Sequence, residues 1–515
     1  MNQVPMPRHK PFAALGAVFS KANLARFMFL VACLITLVGL FYAEENWRGY
    51  RAWREYRTTL EQAGESFGFE SFIPAQVSDD RNFASAAFLK TWLDYEETPG
   101  GIRWRDKTNR IGPSRIAADL GPGKPPRPLE FDQDRFTDLG AWQGFYRNNT
   151  NYPQVTALAK PAESVQGALA KFDPLILDLI QAMRTRPLTR FPVQYQSENP
   201  YRILLPHLAH LRALCQILQL RAAAHLELGQ STPAFEELQL GFRLADSVRE
   251  EPFLVSHLVR LALLHLLLED VKGGLLLHRW SPDQTDWFER QFATIDLIKE
   301  FAHCIRGERA MSLRLVELAR RGKWESGLLD ETEDSAIPRY PALVRLAPSG
   351  WFYRNALFLA RAHQEKLFPT VDVGTGRISR AKFEDSHAFR EQLESGLDTI
   401  AARLLLPANM NVLPKTARAQ TSINQALIAC ELERAWRATG RYPETLAELE
   451  ARVPGGVRED PVGGKPMHYR RLDGGEYLLY SEGWNEKDDG GSVAASGKGN
   501  QRVAQPGDWV WSRAR

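Results

Sequence analysis

From Phe27 to Ala43 the chain carries no charged residue and is almost wholly apolar: Phe-Met-Phe-Leu-Val-Ala-Cys-Leu-Ile-Thr-Leu-Val-Gly-Leu-Phe-Tyr-Ala. Such a run reaches the lower end of what crosses the hydrocarbon core of a bilayer as a helix, and Leu24 and Ala25 extend it. Tyr42, Trp47, Tyr50, Trp53 and Tyr56 follow, residue types that gather at membrane–water interfaces. A buried core helix is the competing reading, but a core helix this near the N-terminus seldom lacks a polar face. The pattern predicts a tail over 1–26 and a transmembrane helix over 27–43, with the lipid bilayer as its partner.

Two kinds of processing compete with a retained anchor. Cleavage after Ala43 would put bulky Phe41 where a small residue is wanted. Leu30-Val31-Ala32-Cys33 resembles a lipoprotein box, yet the apolar run continues well past Cys33, where a lipoprotein turns polar. An uncleaved anchor is expected. Basic residues tie across it, with Arg8, Lys10, Lys21 and Arg26 before and Arg48, Arg51, Arg54 and Arg57 after. Placing the bulk of the chain outside the cytoplasm therefore rests on the default behaviour of single N-terminal anchors.

The remainder is long enough for several domains. With 44% hydrophobic and 25% charged residues it has the composition of a folded protein. A net charge of +3, from 65 basic and 62 acidic residues, supplies no general field for nucleic acid, and none is expected as a partner. The four cysteines, at 33, 215, 304 and 430, are too scattered for a disulfide framework or a zinc site.

The residues after the span, to about Gln62, should prolong the membrane helix; their arginines read as a solvated face rather than as lipid-phosphate contacts. Over 44–155 this juxtamembrane helix gives way to a loop-rich region, broken by Gly100-Gly101, Gly121-Pro122-Gly123 and Pro125-Pro126. A helical domain is expected over 156–400. Leu204, Leu208, Leu211, Cys215, Leu218, Ala222 and Leu226 form one apolar stripe, Gly229 ends that helix and Pro233 opens the next. The pair resembles a tetratricopeptide-type hairpin, but the three repeats of a solenoid are missing, so a bundle or short irregular solenoid is predicted. Leu254 to Leu268 forms another helix, in which Arg260 argues against a second span. Ser281-Pro282-Asp283-Gln284 is a capping box opening the next. A small α+β domain is expected over 401–515: an amphipathic helix through Ala419, Ile423, Ala426, Leu427 and Cys430, a C-cap at Gly440, a short helix from Glu444 to about Arg452, and a hairpin of Met467–Arg471 and Glu476–Tyr480 about Asp473-Gly474-Gly475. A closing stretch runs from Val503 to Trp511.

Chemistry-bearing residues are few. The loop from Ser481 to Ser492 gathers Glu482, Asn485, Asp488 and Asp489 among glycines. Calcium takes six to eight oxygens from such groups, while the same residue types also favour turns without any metal. His207 and His210 are one helical turn apart and spaced to share a metal with His257 or His265, but surrounding leucines and the lack of a carboxylate motif make edge-of-core histidines the expectation. Arg306-Gly307-Glu308-Arg309 is expected as a solvated ion-pair face rather than a buried cluster. The sequence carries no phosphate-binding glycine loop, nucleophile elbow or zinc-protease helix.

In order, Gly440-Arg441-Tyr442-Pro443, Asp460-Pro461-Val462-Gly463-Gly464-Lys465-Pro466, Tyr477-Leu478-Leu479-Tyr480-Ser481-Glu482-Gly483 and Asp488-Asp489-Gly490-Gly491 resemble the globular domain of the major pseudopilin of type II secretion systems. The resemblance covers roughly the last hundred residues. It implies a helix packed on a small antiparallel sheet, and calcium held near Asn485 and Asp488, with Asp489 beside them and carbonyls such as that of Ser481. A pseudopilin carries its membrane helix directly before this domain, behind a glycine cleavage site and with a glutamate five residues on. Here the span lies far upstream, Arg26 precedes it and Val31 stands where the glutamate would, so pilin-type processing and assembly are not expected. The whole chain also resembles large bacterial single-anchor membrane proteins with a helical middle and this ending.

The fold class expected is therefore mainly α, with a transmembrane helix, a helical middle and a pseudopilin-like end. The function expected is a non-enzymatic extracytoplasmic scaffold that binds an unidentified protein partner. A membrane-tethered enzyme, such as a hydrolase with its site between the helical domain and the loop-rich region, is the alternative.

Overall fold

The structure is a computed structural model that describes residues 21–98, 101–105, 126, 137–156, 158–323, 346–393, 396, 398–406, 412–450, 458–473, 475–492 and 507–512. The expected tail up to residue 20, the Gly121–Pro125 breaker, the end of the short helix near Arg452, Gly474 of the hairpin and the closing stretch before 507 lie outside the described residues. In chain order the longer helices are α1 (Lys21–Gln62), α2 (Leu139–Arg147), α3 (Pro161–Leu169), α4 (Asp173–Thr185), α5 (His207–Glu227), α6 (Ser231–Asp246) and α7 (Leu254–Leu276). They continue with α8 (Pro282–Ala293), α9 (Leu297–Arg320), α10 (Ser349–Ala362), α11 (Arg380–Glu391) and α12 (Leu413–Thr439). Strands are short: β1 (Tyr95–Thr98), β2 (Gly101–Trp104), β3 (Val371–Asp372), β4 (Arg377–Ile378), β5 (His468–Leu472), β6 (Glu476–Ser481) and β7 (Trp509–Ser512). The protein is mainly helical. Two compact units emerge, one from 1–65, 316–358 and 395–401, the other from 66–315, 359–394 and 402–515.

In the first unit, α1 is the one described helix long and apolar enough to cross a membrane. Most of its apolar part is exposed among the described residues, with Phe29 68% and Ile35 66% exposed. No break separates that part from the turns beyond it, and there the helix becomes a packing surface. A Cβ on Gly49 would stand 2.7 Å from the Cα of Gly350, and one on Gly350 would strike the carbonyl oxygen of Glu45, so α1 and α10 cross backbone to backbone. Only glycine at both positions permits this approach. The contact is polar at its edges. Buried Glu45 takes an ion pair from Arg354 at 2.8 Å and a hydrogen bond from Trp351 Nε1 at 3.1 Å. The Asn46 Oδ1 accepts from Gly350 N at 2.8 Å, satisfying one of the free N–H groups in the first turn of α10. The Tyr42 hydroxyl donates to the carbonyl of Leu346.

The second unit contains the expected hairpin of α5 and α6, with α7 packed on both. Every residue of the predicted α5 stripe from Leu208 onward is buried, and Gly229 turns the chain at φ +72°. Helix α8 begins at the capping box, Ser281 Oγ accepting from Gln284 N and Gln284 Oε1 from Ser281 N. Helix α12 packs on α7 and α8 and also on the sheet β5–β6–β7, so the predicted segments 156–400 and 401–515 contribute to one core here. Burial on most of its circumference explains its mixed pattern: Thr416, Gln425, Glu431 and Glu433 are as buried as Ile423 and Leu432. The Gly440 C-cap is left-handed at φ +72°, as expected.

Ion pairs hold this unit from within. Arg260, 1% exposed, reaches Glu300 at 2.7 and 3.0 Å and Asp246 at 2.7 Å. Burial opposes its charge, but the two carboxylates keep the guanidinium protonated. The Arg306–Arg309 segment corrects the expected solvated face. Gly307 packs against Pro252, Arg309 is fully buried, and half-buried Glu308 accepts the N–H of Leu254 at 3.0 Å. Burial pushes the Glu308 carboxyl up to about 7, against the pull of that hydrogen bond.

Candidate functional site

The acidic loop grows out of the three-stranded sheet. Strands β5 and β6 pair antiparallel with His468 opposite Tyr480, and β7 adds to β6 with Ser481 opposite Trp509 and an irregularity between Leu479 and Tyr480. Helix α12 covers the sheet, Gln425 Nε2 donating to the Trp509 carbonyl at 2.7 Å. At the end of β6 the buried Ser481 hydroxyl donates to Asp460 and accepts from Gly483 N at 2.9 Å. Asp460 also accepts from Val462 N at 2.9 Å, and burial raises its carboxyl to about 6 despite these donors. Ser481 thus fastens the loop to the Asp460 turn.

Beyond it the chain reverses twice, with left-handed backbone at Gly483 (φ +67°) and Glu486 (φ +55°). The Asn485 carbonyl accepts from Arg380 at 2.7 Å, and its side-chain amide donates to Asp489 at 3.0 Å. Asp488 Oδ1 accepts from the Tyr480 hydroxyl and from Gly490 N, both at 2.9 Å, and these donors, Gly490 first, hold its carboxyl below the usual range. Asp508 accepts from Asp489 N at 3.2 Å and Gly491 N at 2.6 Å. The His468 ring stacks on Tyr480 at 4.8 Å and sits 3.2 Å from Glu482 and 3.8 Å from Asp488, while Lys465 pairs with Glu482.

The residues expected as calcium ligands, Ser481, Asn485, Asp488 and Asp489, thus share one loop, but most of their oxygens already have protein donors. Arg380 and Lys465 supply positive charge at its edge. Among the described residues no group of three or more His, Cys, Asp or Glu side chains is arranged to hold a metal ion. Calcium on this loop would exchange several of these bonds for metal contacts. Asp460, Asp508 and His468 were not singled out as loop residues. Asp460 opens one of the quoted motifs, whereas Asp508 follows the loop by 19 positions from Asp489 with no periodic signal.

The histidines of the helical domain do not converge either. His207 bonds Glu251 at 2.8 Å, and His257 bonds Thr416 at 2.9 Å. All of His207, His210 and His257 are buried rather than at the core edge. Burial lowers His210 to about 4 and His257 to about 3, keeping both rings neutral. A recess of about 380 Å³ is lined by Phe292, Ile295, Gln420, Asn424, Arg377 and Glu459. Its polar walls bond one another: Arg377 to Glu459 at 2.6 Å, Gln420 to Asn424 at 3.0 Å, and Asn424 to the Glu459 carbonyl at 2.9 Å.

No protein-family model matches this chain, and no curated protein or solved structure is significantly similar to it.

Proposed function

We propose that the protein is a single-pass membrane protein, retained through residues 27–43, whose chain beyond Glu44 lies outside the cytoplasm and serves as a non-enzymatic scaffold for a protein partner. One observation carries the anchor. The apolar stretch and the packed turns of Glu45 and Gly49 belong to one uninterrupted helix. A cleavable leader is released at the end of its apolar run, whereas here the residues at that point are built into a helix crossing. The scaffold reading draws support from polar clusters that bind one another, as Arg260, Asp246 and Glu300 do.

Topology tests the proposal. The full chain should stay in membranes through alkaline carbonate extraction, and protease added to intact spheroplasts should digest its C-terminal region. Release by carbonate would overturn the anchor. Protection in spheroplasts, with digestion after lysis, would overturn the orientation. Crosslinking in native membranes should then yield a defined protein neighbour. A carbonate-stable chain that crosslinks to no protein would overturn the scaffold.

A further inference from the structure

The arginines that follow the apolar stretch are not equivalent. Arg48 pairs with Glu45 at 2.6 Å and Arg57 with Glu61 at 2.7 Å. Arg51 and Arg54 are exposed, and among the described residues neither has a carboxylate within ion-pair distance. At about 100° per residue, Trp47, Arg51 and Arg54 fall within a sector of about 60°, roughly opposite Glu45 and Gly49. This face of α1 therefore points away from the α10 crossing. Trp47, 60% exposed, lies under Arg51, whose guanidinium carbon is 5.4 Å from the indole centroid.

Helical side chains lean toward the N-terminus, and in α1 that direction leads back to the apolar stretch. Counting about 1.5 Å per residue from Ala43, Trp47 stands ~6 Å, Arg51 ~12 Å and Arg54 ~17 Å along the axis. The polar layer on each side of a bilayer core is about 5–8 Å deep. A leaning Arg51 reaches that layer with its aliphatic stem on Trp47, while Arg54 stays above it but within about one Debye length.

We infer that Trp47, Arg51 and Arg54 form a docking face for the headgroups of anionic phospholipids. Neutral headgroups offer the phosphate with a compensating cation, so two guanidinium groups that form no ion pair among the described residues favour net-anionic lipid. This inference rests on the membrane-anchor reading above.

The test uses the purified full chain in neutral detergent, titrated with short-chain phosphatidylglycerol or phosphatidylcholine and followed by counting bound lipids in native mass spectrometry. Phosphatidylglycerol should bind preferentially. Arg51→Gln should weaken it about fivefold, as a basic residue near an anionic surface contributes about 1 kcal/mol. Arg54→Gln should have a smaller effect that vanishes at high salt. Arg57→Gln, on a pair already formed, should change nothing. Equal binding of both lipids, an unaffected Arg51→Gln variant, or an Arg57→Gln effect as large would overturn the inference. So would equally tight binding of free glycerol phosphate, which would mark a soluble-anion site. Carbonate extraction of the same variants separates the two claims: a chain that leaves the membrane refutes the anchor, whereas a retained chain without lipid preference refutes only the docking face.

Discussion

The carbonyl oxygen of Glu45 occupies the space that a Cβ on Gly350 would need, so at that point α1 and α10 meet backbone to backbone. The obstruction is backbone on both sides and cannot rotate away. Gly350→Ala should therefore cost about 3 kcal/mol or part the two helices. Thermal melting of the detergent-solubilised chain checks this. Gly39→Ala, where a Cβ meets nothing within 4 Å, is the matched control and should melt normally.

Arg260 ties α7 to Asp246 and Glu300, one guanidinium serving two carboxylates. Arg260→Met should destabilise by about 3 kcal/mol, since it leaves two part-buried carboxylates without their cation. The variant combining Arg260→Met with Glu300→Gln and Asp246→Asn should recover much of that loss. Urea unfolding of the set gives the coupling directly.

The pH dependence should carry two opposed contributions. Glu308 has a folded pKa of about 7 against a usual 4.5, so the folded state holds the proton longer, and stability falls as pH rises from 4.5 through 7. Glu308→Gln should flatten that limb. His257, lowered to about 3 from 6.5, acts on the other side. The unfolded chain binds its proton first, so stability falls as pH drops from 6.5 toward 3, and His257→Gln should reduce acid sensitivity there. Unfolding free energies at closely spaced pH values resolve both slopes.

Asp508 accepts two backbone N–H groups of the acidic loop, and Asp508→Ala strands them. A loss of about 1–3 kcal/mol is expected, measured as a melting shift in chelator. Wild-type melting should differ little between calcium and chelator, because most of the loop oxygens already have donors. A rise of several degrees in calcium would reinstate the ion that the pseudopilin resemblance implies.

Much of the helical architecture was legible because it is written in short-range signals. The stripe ending at Leu226, the Ser281–Gln284 box and the Gly440 cap each act within a turn or two of themselves. What escaped depends on distant partners. Charge in Arg306–Arg309 reads as solvent-facing by pattern alone; only Pro252 packed against Gly307, and Leu254 N–H capped by Glu308, reveal that the segment is inside. His207 looked like a core-edge residue because Glu251, its partner, is 44 positions away. The loop was legible as a concentration of oxygens. Its donors, from Arg380 to Tyr480, come from several elements and leave no trace in the spacing.

Helix α1 does not stop at the end of its apolar stretch but runs on to Gln62, about 29 Å further at the usual rise. A rod of that length is a lever. With the apolar stretch seated in a bilayer as proposed, a change of about 10° in its tilt would swing the far end by about 5 Å, and helices adjust tilt to match hydrocarbon thickness. On that proposal lipid composition would set where the emerging end of this rod stands, so bilayer thickness would be felt as a displacement of its tip.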